Sequence, residues 1–281
     1  MKEIRGTSNK ILEVNLSDKT VEIYTVVNRE RQLFLGAKGL GLKLLYDRLT
    51  PGCDPLGPEN IIAFMPGVLM GTGAPCSGRF EAIAKSPLTG IMGTSSCGGP
   101  FGMALKTAGW DGLLIKGRAE SPTYLQITEE GVAFMDAAGL WGKEIPETQE
   151  VLDGKGAGSV VIGPAGENLA RFANMASGHR FLGRGGLGAV LGAKNLKGVV
   201  ARGGAYKIRP HDPEGFKKIK KRATKYIKHN PITSDRYRNY GTNANVRPCL
   251  ESRILPVNNF QDGWHELGDQ VAGEVMIEKH R

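Results

Sequence analysis

The chain has 281 residues, 40% hydrophobic and 23% charged, enough for one large or two ordinary domains with a sizeable core, and too apolar for a disordered or fibrous protein. No apolar run approaches the roughly 18 residues of a membrane span, and the polar start after Met1 is not a secretory signal, so a cytoplasmic location off the membrane is expected. The formal net charge is +9, and the 40 glycines are about twice the usual share of roughly 7%.

The predicted elements follow in chain order. Lys10 to Val27 alternates apolar and polar residues around Ser17-Asp18-Lys19, the pattern of a β-hairpin. Phe34 to Leu49 is Gly-rich and then helical. Ile61 to Leu69 reads as a buried strand interrupted by Pro66, Gly71 to Arg79 as a small-residue loop, Arg79 to Ala84 as a strand, and Ser86 to Gly90 as a turn. A Gly-Gly segment then leads into a strand at Leu113–Ile115. Tyr124 to Ile127 and Val132 to Met135 flank Glu129-Glu130-Gly131 as a second hairpin. A short helix at Thr148–Leu152 and strands at Val160–Ile162 and Phe172–Met175 precede a second Gly-Gly segment. Beyond Gly203-Gly204 glycine thins, lysine rises and helix dominates, so a domain boundary is expected near residue 207. The glycines of the first two hundred residues lie beside apolar runs, which points to close backbone approach to a ligand.

The two Gly-Gly segments are copies of one pattern. GGPFGMALKTAGWDGLLIKG, from Gly98 to Gly117, aligns with GGLGAVLGAKNLKGVVARG, from Gly185 to Gly203, once one residue after the first Gly pair is left unmatched. Gly102 then meets Gly188, Leu105 meets Leu191, Gly112 meets Gly198 and Gly117 meets Gly203. Each copy reads as a turn, a small-residue helix and an apolar strand. Paired glycines at a helix start suit an anion, because amide N–H groups and the helix dipole converge there. The expected fold is therefore α+β: a strand-rich N-terminal domain with a pseudo-two-fold internal repeat and two facing phosphate cradles, followed by the start of a helical domain.

Arginines flank both segments: Arg79 after Ser77-Gly78, and Arg180 and Arg184 around Phe181-Leu182-Gly183. A guanidinium in such a loop offers bidentate hydrogen bonds to phosphate or to a heterocycle edge, and equally a surface ion pair. His179 is either a site donor or a packed histidine. Lys194 and Lys197 suit a helix C-terminus. The four cysteines, Cys53, Cys76, Cys97 and Cys249, have no zinc or iron–sulfur spacing, and Cys97 lies inside the first Gly-rich turn. A lysine-rich helical stretch from Lys217 to Arg236 reads as a solvated face, or as a surface for an acidic partner such as a small electron carrier. It has no interleaved aromatic motif and no recognised nucleic-acid fold signature, and a nucleic-acid partner is not expected.

At these residues the chain resembles a known family. AGENLARFANMASGHRFLGRGGLGAVLGAKNLKGVV, from Ala165 to Val200, is similar to the signature of the tungsten-containing aldehyde:ferredoxin oxidoreductases. GAPCSGRF, SPLTG, CGGPFGMALKTAGWDGLLIKGRAESPTYL and ILEVNLSDKTVEI resemble the same family in the expected order, over essentially the whole chain.

The resemblance implies that residues 1–207 form the base for a bis-pyranopterin tungsten or molybdenum cofactor whose phosphates are bridged by Mg2+, and that residues 208–281 begin a helical domain. It implies that Arg79 contacts a pterin. Ser96, Cys97, Gly98 and Gly99 would stand at the first phosphate-and-magnesium turn, and Arg180, Phe181, Leu182, Gly183, Arg184 and Gly185 at the second. Ser96 and Phe181 would give backbone carbonyls to the magnesium. The family oxidises aldehydes to carboxylic acids and passes electrons through a [4Fe–4S] cluster to ferredoxin. The cluster's cysteine run is absent from these 281 residues, as is any obvious general acid or base. The chain is therefore expected to be an N-terminal portion, inactive by itself, with the rest of the enzyme on a longer or a second chain. A homodimer is compatible with the resemblance, and the catalytic residues are not assigned. Two alternatives stay open: a family member reducing aromatic acyl-thioesters or another oxo-acid, and a non-catalytic phosphate- or nucleotide-binding module. The glycine spacing lacks the acidic residue about 20 positions on that grips a ribose.

Overall fold

The computed structural model describes residues 6–154 and 156–280. The chain divides into two compact units, one running to Pro213 and one from Glu214 onward. In the first unit the elements are β1 (Lys10–Asn15), β2 (Thr20–Thr25), α1 (Asn28–Phe34), α2 (Ala37–Arg48), β3 (Ile62–Pro66), β4 (Phe80–Lys85), β5 (Met92–Cys97), α3 (Pro100–Thr107) and β6 (Gly112–Lys116). They continue with β7 (Thr123–Ile127), β8 (Val132–Asp136), α4 (Ile145–Leu152), β9 (Ala157–Val161), α5 (Pro164–Glu167), β10 (Met175–Ser177), β11 (Arg180–Leu182), α6 (Leu187–Ala193) and β12 (Leu196–Arg202).

The strands form two six-stranded sheets, in the orders β2-β1-β6-β3-β4-β5 and β11-β10-β9-β12-β7-β8. Reversed, the first order becomes the second when six is added to every strand number. Directions agree as well: β1–β6 and β7–β12 are parallel, and every other neighbouring pair is antiparallel. The repeat seen between residues 98–117 and 185–203 thus extends over the whole unit.

Period-two alternation divides each central strand between two cores. Ile62 and Phe64 of β3 enter the main core, while Ala63 and Met65 point to the far side of the sheet, against Leu40, Leu44 and Leu45 of α2. The main core lies between the sheets and holds Phe101 and Leu105 of α3 and Val190 and Leu191 of α6. On the outer face of the second sheet, Val161 and Val200 pack with Leu140 and with Leu152 of α4. Helix α3 lies against β9 and β12 as well as β3, and α6 lies against β12, β3 and β4, so each half sends its helix onto the other half's sheet.

Matched glycines have matched reasons. A Cβ on Gly102 would stand 2.9 Å from the Phe80 side chain, and one on Gly188 would stand 2.5 Å from the Asn174 carbonyl; both helices start too close to a neighbour for any side chain. After each helix the chain turns through a left-handed residue, Gly109 (φ 88°) in one copy and Asn195 (φ 53°) in the other, the two residue types that tolerate it best.

Several expectations need correction. β5 and β11 are strands where turns were expected, and the segment before the second copy pairs only from Met175, leaving Phe172 exposed. Lys194 does more than cap α6: its buried ammonium donates to the carbonyls of Asn60 (2.6 Å), Gly117 (2.9 Å) and Pro58 (3.3 Å) in the other half. Burial pushes its pKa down to about 7. Lys197 is buried in β12 and pairs with Glu167. Asp111, at the matching position before β6, is buried between Arg31 (2.8 Å) and Lys106 (2.9 Å). The Lys106 contact is ionic, without hydrogen-bond alignment.

The second unit is helical. It contains α7 (Pro213–His229), a π-turn at Ile232–Arg236, α8 (Tyr237–Tyr240), α9 (Val246–Glu251) and α10 (Gly273–His280), with short 3-10 turns at Gly241–Asn245 and Gly268–Val271. Arg247 grips Asp269 through two bonds of 2.6 and 3.1 Å.

Candidate cofactor face

The edge strands of the two sheets, β5 and β11, lie beside one another. Short hydroxyl side chains join the loops around them. Ser95 Oγ accepts from the Arg184 N–H at 3.1 Å, and Ser86 Oγ donates to the Gly185 carbonyl at 2.7 Å. The residues around Ser96 and those from Arg180 to Gly185, 84 positions apart by number (180 − 96), therefore border one surface.

Arg79 and Arg180 approach the same point from different halves. Burial pushes the Cys97 thiol pKa up, and the shift is opposed by the Gly99 N–H, the Arg79 charge, the Gly98 N–H and the Arg180 charge. Arg79, Ser96, Gly98, Arg180, Phe181, Gly183 and Arg184 are all exposed. Among the described residues none of the three arginines forms an ion pair. Three unpaired guanidinium groups around exposed backbone make a surface suited to an anionic, heterocyclic ligand.

Three expected contacts change character. The Cys97 and Leu182 side chains are buried in the main core, which leaves only their backbone to a ligand. Gly99 is buried as well: an added Cβ would meet the Ser177 carbonyl at 2.3 Å, its Cβ at 2.4 Å and its Oγ at 2.5 Å. His179 is exposed in the β10–β11 turn.

The helix starts are not open cradles. Pro100 at the first turn of α3 has no N–H to offer, and the Phe101 N–H donates to Ser177 Oγ at 3.2 Å. In the second copy the Gly188 N–H donates to the Ala173 carbonyl at 3.0 Å. These amides bind the protein itself, and the loops are what remain for a ligand. Sequence reading missed the serines that organise this junction, Ser86, Ser95 and Ser177; SPLTG gave the only local signal, as a turn.

The glycines of the face test whether a ligand fits. A Cβ on Gly78 would meet nothing within 4 Å; on Gly98 its nearest neighbour would be the Gly78 carbonyl at 3.9 Å, and on Gly183 the Asn174 side chain at 3.8 Å. None of the three has a left-handed φ. Nothing inside the chain requires glycine there, and a flat ligand resting on the backbone would. The face fits a bis-pyranopterin group on that ground. Among the described residues no three His, Cys, Asp or Glu side chains gather as a metal site, and the four cysteines are free, so a cation here would take oxygen from backbone and ligand.

Comparison with known proteins agrees with this geometry. Residues 11–203 match the family sequence pattern described as aldehyde ferredoxin oxidoreductase, N-terminal domain, and residues 218–281 match the one described as domains 2 & 3. The tungsten-containing aldehyde ferredoxin oxidoreductase of Pyrococcus abyssi is 40% identical over 98% of this chain and 46% of its own length. The aliphatic sulfonate oxidoreductase WOR-like subunit of Pyrococcus furiosus is 32% identical over 92% of this chain and 44% of its own. In a solved structure, the active site complex BamBC of benzoyl coenzyme A reductase with 1,5-dienoyl-CoA, a chain matches with a TM-score of 0.78 and 35% identity, over 81% of this chain and 35% of that one. The chain spans about half the length of the curated relatives it matches. Its repeated sheets, its arginine-lined face and these matches together place the chain in the aldehyde ferredoxin oxidoreductase family.

Proposed function

We propose that residues 1–207 form the base for a bis-pyranopterin tungsten or molybdenum cofactor in an enzyme that oxidises aldehydes to carboxylic acids and passes the electrons to ferredoxin. The observation that carries this reading is the set of glycines, Gly78, Gly98 and Gly183, that no packing or backbone strain explains and that lie among Arg79, Arg180 and Arg184. When bound, the metal and its pterin supply the two-electron oxidation and the oxygen transfer. The chain's own part is binding and orientation. Arg79 and Arg180 hold ligand oxygen or ring edges through planar donors, and Arg184 adds positive charge at the second loop. Ser96 and Phe181 would hold a magnesium ion through their backbone carbonyls, consistent with that ion's preference for a few hard oxygens. Phe181, 56% exposed, shields the neighbouring face from water once covered. The [4Fe–4S] cluster and the substrate pocket belong to the remainder of the enzyme.

Metal analysis of the natively purified protein that carries this chain tests the reading. Tungsten or molybdenum with about four irons per metal atom is the expected result; a preparation without either metal overturns it. The likeness to the BamBC structure favours one second reading, reduction of an aromatic acyl-thioester. Turnover of benzoyl-type thioesters with no turnover of aldehydes by the same preparation would select it.

A further inference from the structure

Helix α7 (Pro213–His229) has no buried residue along its 17-residue length. At 3.6 residues per turn, Lys217, Lys218, Lys221, Arg222, Lys225 and Lys228 fall on one arc of about 140°. Phe216, Ile219, Ala223, Tyr226 and Ile227 occupy the opposite side. Among the described residues none of the six cations has an ion-pair partner.

This arrangement works against the helix. Lys217 and Lys221, Lys218 and Arg222, and Lys221 and Lys225 are like charges four residues apart, a spacing that weakens helices. Only Lys225 and Lys228 are near enough to the C-terminal end to gain from its negative partial charge. Local conflicts of this kind are found where function demands them, and a counter-charge supplied from outside the unit resolves this one. The arc itself carries no aromatic ring for a base to stack on. Of the apolar side, Phe216 and Ile227 are half-buried by the protein while Ile219 and Tyr226 are exposed, so anionic vesicles are a control in the test below.

We infer that the cationic arc of α7 is the docking surface for an acidic protein, the electron carrier of the reaction; the inference rests on the function proposed above. Complementary charge of this density speeds encounter and selects the partner, and its effect falls with salt.

The test uses the holoprotein, a small acidic ferredoxin as probe, and a variant with K217Q, K218Q, K221Q and K225Q together. A second variant carries Arg at the same four positions. Glutamine keeps helix propensity and removes the repulsion, so folding is retained. Calorimetry is expected to show ferredoxin affinity reduced tenfold or more in the Gln variant, unchanged in the Arg variant, and falling steeply with added NaCl in the wild type. Aldehyde oxidation with a small viologen acceptor is expected to be equal in all three. Equal ferredoxin affinity of the Gln variant and the wild type overturns the inference. So does loss of DNA or anionic-vesicle binding in the Gln variant with ferredoxin binding intact. Absence of viologen-linked activity from the wild type counts against the proposed function, while the calorimetry still decides the docking surface.

Discussion

Replacing Gly99 by alanine tests the junction on which the cofactor face is built. The added Cβ would stand 2.3 Å from the Ser177 carbonyl, whereas such contacts essentially never fall below 3.0 Å. The start of α3 and strand β10 must therefore part by about 0.7 Å, the difference of those two figures. Over-packing of this kind costs about 1–3 kcal/mol. The movement also stretches the Phe101 N–H bond to Ser177 Oγ, already 3.2 Å long, and leaving that buried donor unpaired adds ~1–2 kcal/mol. Gly99→Ala should thus destabilise by ~2–5 kcal/mol, and Ser177→Ala, which loses only the bond, by ~1–2 kcal/mol. The double variant Gly99→Ala/Ser177→Gly removes the contacts at 2.4 and 2.5 Å but leaves the carbonyl at 2.3 Å, so rescue should be partial. Guanidinium unfolding of the four proteins measures all three values. A Gly99→Ala protein within about 0.5 kcal/mol of wild type refutes the reasoning, as does complete rescue by the second change.

Other predictions concern charge. Asp111→Asn leaves Arg31 and Lys106 buried without a counter-ion and should cost ~3–5 kcal/mol in the same assay; an effect below about 1 kcal/mol contradicts the burial argument. Arg79→Lys and Arg180→Lys replace exposed forks with point charges, so metal content per protein should fall while the unfolding midpoint stays put. For Lys194 the folded pKa, about 7, lies below the unfolded value of about 10.4. Between these two values the unfolded chain holds more protons, so stability should rise with pH across that window and be unaffected by this group below it. A pKa difference of that size corresponds to on the order of 4–5 kcal/mol, an upper bound because the three carbonyl bonds favour the charged form. Lys194→Met should abolish that slope in unfolding curves measured from pH 7 to 10.

Much of this fold is legible in the sequence where apolar periodicity or glycine spacing is strong. The hairpins around Ser17-Asp18-Lys19 and Glu129-Glu130-Gly131 announce themselves by alternation, and the aligned glycines reveal the repeat. β5 and β11 do not, because MGTSSC lacks apolar alternation and RFL is too short to show any; they are strands because neighbours offer hydrogen bonds, which is tertiary information. Arg79, Arg180 and Arg184 were visible as candidates through their glycine neighbours. That Cys97 and Leu182 turn inward follows from strand parity, which cannot be assigned before the strand is known. Lys194 misleads for a related reason: a lysine after a helix usually caps it, and only the fold brings the carbonyls of Asn60 and Gly117 within its reach.

The matched positions Asp111 and Lys197 bear on the ancestry of the unit. A repeat this complete suggests descent from a single half that once paired with a copy of itself. Today one half places an aspartate, and the other a lysine, at the matched position around the start of its central strand, and each is buried with partners of opposite sign, Arg31 and Lys106 on one side and Glu167 on the other. Exchanging the two residues would set aspartate against glutamate and lysine against two cations. The halves have thus ceased to be interchangeable, and a fused chain is free to specialise each loop of its ligand face separately.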